Sequence, residues 1–336
     1  MRVACLLIPD LPLHAELRAS PELIGQPLVI TSGPGARAEI LAVSSEAAAH
    51  SVRPGQTLPQ ARAVCPDVEV RIASPILERT AREALLDVAL SLTPRAELAN
   101  RASGIFLSEG AVFADASGIA ALHSPRTAHK KKKPSKSEIE AAERAFASVF
   151  HARAERAGLI GFVTLASSRG VARLAARHLA LAALLSSNRS SDSSEHQRYQ
   201  EHETTHVLPP DRELDFLSPL PIDLLDPDDR TAQALTRFGI HRIRDLLRLP
   251  QRDLAARLGP GLLSLVARAR GEEDEPPLPE PRTTTIEEGQ DLEVPIATLE
   301  PLTFVLRGLV SRLTERLDLR GLRAPAAAAI GRASGA

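Results

Sequence analysis

The sequence predicts an α+β protein of several domains, and three observations support this class. Short apolar runs that suit buried strands alternate with segments of helical apolar spacing over the first 185 residues. Two polar or proline-rich tracts, at 186–205 and 272–283, predict linkers. Between them lies a compact stretch, rich in arginine, with short helical patterns. The chain is therefore expected to fold as a large mixed unit followed by a helical unit and a smaller C-terminal segment.

In the first half, strands are predicted from β-branched apolar runs, and helices from apolar spacing between turn residues. The predicted strands are 3–8, 27–30, 39–43, 68–72, 104–107, 111–115 and 160–166. The predicted helices are 13–19, 46–50, 58–64, 77–92, 118–123, 139–157 and 169–183. The strands at 104–107 and 111–115 are expected to pair with each other in antiparallel orientation.

The second half predicts helices at 219–271, a strand at 284–294 and a final amphipathic helix at 301–319. Gly321 suits the end of that helix. Its apolar face, expected to form the core of a C-terminal domain, consists of Leu302, Val305, Leu306, Leu309, Val310, Leu313 and Leu317.

Composition excludes several classes of protein. The 336 residues include only two cysteines, Cys5 and Cys65, which provide neither a disulfide framework nor a metal site by themselves. No apolar run approaches the length needed to cross a membrane. We therefore expect a cytoplasmic protein with no membrane partner. The net charge of −1 leaves nucleic-acid binding open, so the distribution of charge matters more.

A basic block predicts one DNA-binding element. Nine arginines and only two acidic residues lie between positions 230 and 270. Within this block Arg237, Gly239, Ile240 and Arg242 occupy a turn between two helical patterns, the layout of a helix-hairpin-helix. The backbone amides after the glycine and the two arginines are expected to bind phosphate without reading bases. An ordinary helical hairpin, in which the glycine simply ends a helix, is the alternative.

Two further basic features are weaker. The hairpin pattern recurs less clearly at 257–262, around Gly259 and Gly261. A run of four lysines at 130–133 is expected to be a solvated loop rather than a DNA contact.

A series of short stretches follows one another in a specific order along the chain. They are 7–12 (Leu-Ile-Pro-Asp-Leu-Pro), 21–30, 42–49 with 52–55, 60–66, 115–118, 169–175 and the hairpin unit. In this order they resemble a Y-family DNA polymerase, and within that family the ImuB-type proteins. The resemblance implies a right-hand architecture. The palm would comprise 1–10 and 76–185, the fingers 11–75, the thumb 206–271 and an apparently truncated little finger 284–336.

The resemblance also implies where catalytic metal ions would bind. Such an enzyme holds two divalent cations with carboxylates on the palm strands. The family's ligand positions fall here on Leu7, Gly110 and Ala111, with Asp115 taken as the aspartate that begins the Asp-Ala-Ser-Gly turn. None of these three side chains offers the oxygen that such a cation requires. We therefore expect no catalytic residues, no metal site and no cofactor.

The nucleotide-binding positions are altered as well. A tyrosine and an arginine that grip the triphosphate in the family correspond to Ser45 and Ala48. Arg169 stands where the family usually has a lysine on the nucleotide side. An exposed arginine at the start of a helix is the alternative interpretation of Arg169.

Three functional hypotheses follow. The leading one is a noncatalytic, nucleoid-associated accessory that binds primer–template DNA during translesion synthesis. By resemblance its partners would be an error-prone replicative-type polymerase, a sliding clamp and a RecA-like protein, although no clamp-binding motif is visible. The second is an active, Mg²⁺-dependent polymerase using the displaced carboxylates Asp10, Glu109 and Asp115. The third is a degenerate fragment without cellular function.

Overall fold

The computed structural model describes residues 1–100, 108–119, 135–187, 203–249, 261–272, 276–292 and 298–322. Its strands are β1 (Val3–Ile8), β2 (Leu28–Thr31), β3 (Ile40–Val43), β4 (Glu69–Ile72), β5 (Ala96–Leu98), β6 (Gly110–Asp115), β7 (Phe162–Ala166) and β8 (Thr205–Val207). Its helices are α1 (Leu11–Ala19), α2 (Ser45–Ala49), α3 (Leu58–Val64), α4 (Pro75–Leu90), α5 (Lys136–Arg156), α6 (Arg169–Ser187), α7 (Glu213–Leu217), α8 (Asp229–Arg237), α9 (Ile243–Leu247), α10 (Gly261–Arg270) and α11 (Leu299–Leu319).

A five-stranded sheet in the order β5-β6-β1-β7-β8 forms the centre of the molecule. The central strand β1 is antiparallel to both β6 and β7, and all six of its residues are buried. Successive side chains of a strand point to opposite faces. Ala4, Leu6 and Ile8 accordingly pack with α1, α4 and α5, while Cys5 and Leu7 pack with α6 and the helices that follow β8.

A second, three-stranded sheet in the order β3-β2-β4 forms a smaller unit with α2 and α3. Ser44 fixes this unit locally, because its hydroxyl accepts hydrogen bonds from the amides of Ala47, in the first turn of α2, and Leu28, at the start of β2. Ser44 is thus the N-cap of α2, a position where serine is favoured. The unit occupies the part of the chain that the resemblance assigns to the fingers.

Most predicted elements of the first half are confirmed within a few residues, and the helix at 58–64 is confirmed at both ends. The strand predicted at 104–107 lies outside the described residues, as does most of the helix predicted at 118–123. β6 pairs instead with β1 and with β5, a strand that was not predicted. β8, which begins at the last residue of the predicted linker, was also missed. Three-residue strands are too short to produce a detectable periodicity.

The strand predicted at 284–294 is wrong for residues 284–292, which have no strand structure. Glu288 of this segment accepts hydrogen bonds from Arg18 of α1 and from Arg312 and Arg316 of α11, and Glu287 pairs with Arg79 of α4. Polar side-chain contacts of this kind leave no alternating buried face. Residues 293 and 294 lie outside the described part of the chain.

The predicted helix at 301–319 is confirmed as α11, but the prediction of its buried face is wrong. Arg312, Arg316 and Leu319 are its buried residues, whereas Leu302 and Val310 of the apolar face are exposed. The helix docks through charge pairs, which the apolar pattern does not reveal. No helix in the described ranges has both the length and the apolar character to cross a bilayer.

Candidate functional site

The three positions that correspond to the metal ligands of the family lie side by side in the central sheet. Leu7 of β1 pairs with Ala111 of β6, and the neighbouring Ile8 pairs with Gly110. Leu7 and Ala111 are buried and contribute to the same apolar cluster. A side chain at Gly110 would begin 3.0 Å from both terminal methyl carbons of Leu11. Because the divalent cations of such enzymes bind oxygen ligands, these residues do not fit a catalytic metal site.

Glu109, the nearest of the displaced carboxylates, is held by two arginines of α6. Its Oε1 accepts hydrogen bonds from Arg173 Nε at 2.6 Å and Arg177 Nη2 at 2.7 Å, and its Oε2 accepts one from Arg177 Nε at 2.9 Å. Arg177 Nη1 also donates to the carbonyl of Leu224 at 2.8 Å. The two guanidinium groups thus neutralise Glu109. Arg177 also connects Glu109, just before β6, to the segment after β8.

Of the other two displaced carboxylates, Asp10 lies beside Ser108, the residue before Glu109, whereas Asp115 lies at the other end of β6. Burial raises the pKa of Asp10 above its ordinary value, although a hydrogen bond from Ser108 lowers it in part. Asp115 pairs with Val3 at the far end of β6, about 17 Å from Gly110 at the usual rise of a strand. Among the described residues, no three histidine, cysteine or acidic side chains are grouped so that they could hold a metal ion.

α6 presents a row of arginines above the same face of the sheet. Arg169, Arg173 and Arg177 recur every four residues, a spacing that places side chains on one side of a helix. Arg169 Nη1 donates to Glu97 Oε2 at 2.9 Å, so this residue is ion-paired rather than simply solvent-exposed. The sequence prediction assigned a role only to Arg169. The four-residue spacing was the available signal for the other two.

The fingers positions Ser45 and Ala48 both lie in α2. The Ser45 hydroxyl donates to Glu46 at 2.9 Å, and Arg53 Nη1 donates to the Ala48 carbonyl at 2.7 Å. Arg53 therefore provides a hydrogen-bond donor for a carbonyl group at the C-terminal end of α2.

The predicted hairpin is present, with α8 and α9 joined at Gly239. Gly239 has φ 70°, the left-handed region that favours glycine. Ile240 is buried in the core between the helices, so its side chain anchors the turn. Arg237 and Arg242 are exposed beside it. Gly261 is the exposed first residue of α10, and Gly259 lies outside the described residues.

Three amides of this turn, at positions that the sequence predicts to bind phosphate, already donate to acceptors within the protein. The amides of Gly239 and Ile240 donate to Thr236 and Leu235 carbonyls at 3.0 Å, and that of Arg242 donates to Asp245 Oδ2 at 3.1 Å. Phosphate contacts here would have to come from side chains. The exposed arginines of this surface are Arg230, Arg237, Arg242, Arg244 and Arg248.

Comparison with known proteins identifies the fold. The impB/mucB/samB family model matches residues 11–177. The insertion ternary complex of Dbh DNA polymerase matches with a TM-score of 0.57 and 16% identity, over 82% of this chain and 69% of that one. DinB from Sulfolobus solfataricus gives 0.53 and 18%, with the same coverage of 82% and 69%. A Y-family DNA polymerase chimera of Dbh and Dpo4 gives 0.57 and 17%, over 84% and 71%.

The comparison with curated proteins found no significant match. The family model covers α1 through the middle of α6, which includes the second sheet and most of the central one. Through these residues the chain belongs to the impB/mucB/samB family, and its described structure has the fold of a Y-family DNA polymerase.

Proposed function

We propose that this protein is a noncatalytic Y-family homologue that binds primer–template DNA as an accessory in DNA damage tolerance. The observation that carries the proposal is the pairing of Leu7 with Ala111, next to Gly110, in the sheet that would need to hold metal ligands. Two-metal phosphoryl transfer needs anionic oxygens that bridge both cations. Aliphatic side chains at these positions leave the palm without such ligands.

DNA binding is supported by the exposed arginines of the hairpin surface. Arginine contacts to phosphate give affinity that does not depend on sequence and that falls as salt rises. By family resemblance, the complex would recruit an error-prone replicative-type polymerase, a sliding clamp and a RecA-like protein at the nucleoid. The competing function is an active polymerase that uses Asp10, Glu109 and Asp115. The ion pairs of Glu109 and the distance to Asp115 disfavour it.

Primer extension tests the absence of catalysis. With a primer–template, all four nucleotides and either Mg²⁺ or Mn²⁺, we expect no incorporation above the level of a protein-free reaction. The same preparation must bind the primer–template, which shows that it is folded. Robust incorporation that disappears in Asp115→Ala would establish the active polymerase instead.

A double variant tests the DNA surface. Arg237→Ala with Arg242→Ala should weaken binding by a similar factor for unrelated duplex sequences, because phosphates carry no base identity. The slope of log affinity against log salt should become shallower by about 1.8, or about 0.9 for each lost contact. Fluorescence anisotropy at several salt concentrations, with EDTA present, measures both effects.

The matched control is Arg144→Ala with Arg156→Ala, which removes the same charge from exposed positions on α5. That helix packs on the opposite face of the central sheet from α6 and the hairpin. The control should bind as the unaltered protein does. Equal affinity of both double variants at low salt would contradict the hairpin assignment.

A further inference from the structure

The turn of the hairpin carries an exposed phenylalanine. Phe238, the residue that follows α8, is 57% exposed. The chain has only eight phenylalanines, one tyrosine and no tryptophan. Of the phenylalanines that the structure describes, four are at most 7% exposed, and these are Phe113, Phe146, Phe150 and Phe162. The fold therefore places most of these scarce rings in its cores, whereas Phe238 faces solvent.

Phe238 stands on an ordered backbone. Its amide donates to the carbonyls of Ala234 and Leu235, both at 3.1 Å. Gly239, at φ 70°, then reverses the chain, and buried Ile240 anchors the far side of the turn. An aromatic ring has only two side-chain torsions, so binding restricts it at little entropic cost. The turn thus presents a flat apolar surface that is ready to bind without rearrangement of the backbone.

The neighbours of Phe238 indicate a nucleic-acid ligand. A single exposed apolar side chain is ordinary by itself, and a protein-binding site is expected to be a contiguous apolar patch. Here the neighbours are polar, because Arg237, His241 and Arg242 are all exposed in the same turn. Proteins that bind single strands combine such cations, which contact phosphates, with aromatic rings on which bases stack. The arginines and the ring together therefore match a strand whose bases are unpaired.

A groove borders the same turn. It has a volume of about 500 Å³, and its lining includes Thr236, Ile240, His241, Pro219 and Pro221. This size falls within the range of about 300–1,000 Å³ that is typical of small-ligand sites, so the groove has room for one nucleobase. A base inside a duplex reaches such a site only after it is unpaired and unstacked, which costs free energy. The ring and the groove are thus open to single-stranded bases and closed to those of an intact duplex.

We propose that the hairpin recognises unpaired bases, with Phe238 as the stacking platform for the single-stranded template beside a primer end. The inference rests on the proposed DNA binding and deepens it by naming the form of DNA that binds best. Arg237 and Arg242 contact the phosphates, while the ring and the groove beside it take the bases. The contact reads no sequence, because every base has an aromatic face.

Phe238→Ala tests this contact. Fluorescence anisotropy in EDTA compares three DNAs: a single-stranded oligonucleotide, a primer–template with a 5′ overhang, and a blunt duplex. We expect affinity for the first two to fall about 5- to 150-fold, the effect of removing one base–aromatic contact. Affinity for the blunt duplex should not change. The salt slope should also stay the same for all three DNAs, because the variant removes no charge.

Two further variants separate a flat ring from mere apolar bulk. Phe238→Tyr keeps the ring and should retain the affinity for single strands, whereas Phe238→Leu should lose it as alanine does. The matched control is Phe304→Ala, on α11, where the phenylalanine is 64% exposed. This control should bind all three DNAs as the unaltered protein does. If thermal melting shows that Phe238→Ala is unfolded, the comparison of leucine with tyrosine decides.

The absence of tryptophan permits a direct observation of stacking. Phe238→Trp introduces a single indole, and a base that stacks on an indole quenches its emission. Saturating single-stranded DNA should quench this emission, and saturating blunt duplex should not. Equal quenching by both, or a loss of affinity in Phe238→Ala that is absent or equal for all three DNAs, would overturn the inference. If only the arginine double variant weakens binding, the proposed function stands without this contact. An unaltered protein that binds none of the three DNAs contradicts both.

Discussion

Arg316→Ala is expected to destabilise the docking of α11 by about 3–5 kcal/mol, the usual cost of removing one partner from a buried ion pair. Arg316 is completely buried. Its Nε donates to Asp87 Oδ2 at 3.0 Å and its Nη2 to Glu83 Oε2 at 2.8 Å, both on α4. Its Nη1 donates to the Glu287 carbonyl at 2.9 Å. Its Nη1 also donates to Glu288 Oε1 at 3.3 Å. Alanine would remove all four contacts and leave a cavity.

The network around Arg316 explains why partial compensation should not rescue the variant. Asp87 would keep Arg320, which donates to its Oδ1 at 2.8 Å. Glu288 would keep Arg18 and Arg312. These pairs hold neighbouring elements, but no other arginine on the described part of α11 contacts Glu83.

Acidity should act on the same network. Burial alone would raise the pKa of Glu288, but the hydrogen bonds and charges of Arg18, Arg316 and Arg312 lower it below its ordinary value of 4.5. A carboxylate with a lowered pKa in the folded state stabilises that state above its unfolded pKa. The contribution is lost as the pH falls through the lowered value. Docking of α11 should therefore weaken on the acid side of pH 4.5.

Native-state hydrogen exchange of the α11 amides, together with urea unfolding, measures the effect of Arg316→Ala, because the helix can open without global unfolding. Arg307→Ala, an exposed position on the same helix, should change stability by no more than about 0.5 kcal/mol. A loss below about 1 kcal/mol in Arg316→Ala would mean that the exposed leucines, rather than the charge network, decide how this helix docks.

Local sequence patterns predicted most of the helices and strands. They did not predict which face of a helix is buried, because that depends on residues distant in the chain. The helix at 58–64 is confirmed at both ends because what fixes its start, a proline in the first turn and a capping box, is local in the sequence. The buried face of α11 was wrong because its partners, Glu83 and Asp87, lie more than two hundred residues earlier in the chain. Amphipathicity predicts a buried apolar face only when apolar partners are available.

The candidate site likewise has features that the sequence predicted and features that only the structure shows. Resemblance placed Leu7, Gly110 and Ala111 at one location, and the register of β1 and β6 brings them there. The resemblance did not reveal that Glu109 pairs with Arg173 and Arg177, which lie 64 and 68 residues later in the chain. A lone carboxylate beside a vacant ligand position is compatible with either a metal or an ion pair, and only the position of α6 distinguishes them.

Glu109→Ala should be the other strongly destabilising change, with an expected loss of about 3–5 kcal/mol in the free energy of unfolding. The side chain of Glu109 is 2% exposed and that of Arg177 is 4% exposed. Alanine would leave two guanidinium groups close together, one of them buried without its carboxylate. Glu109→Gln keeps the shape and one acceptor oxygen, so it should cost less than alanine but more than a surface change.

Urea unfolding of Glu109→Ala, Glu109→Gln and the exposed control Glu22→Gln measures these differences. A double-mutant cycle with Arg177→Met then isolates the coupling between the two side chains, which should reach several kcal/mol because they share two hydrogen bonds. The result also bears on catalysis. If Glu109→Ala left stability unchanged, the ion pairs of Glu109 would not stabilise the fold. A role for Glu109 as a displaced metal ligand would then explain better why an acid is buried beside Gly110. A large coupling instead means that binding a cation at Glu109 would first require breaking the contacts that hold α6 to the sheet.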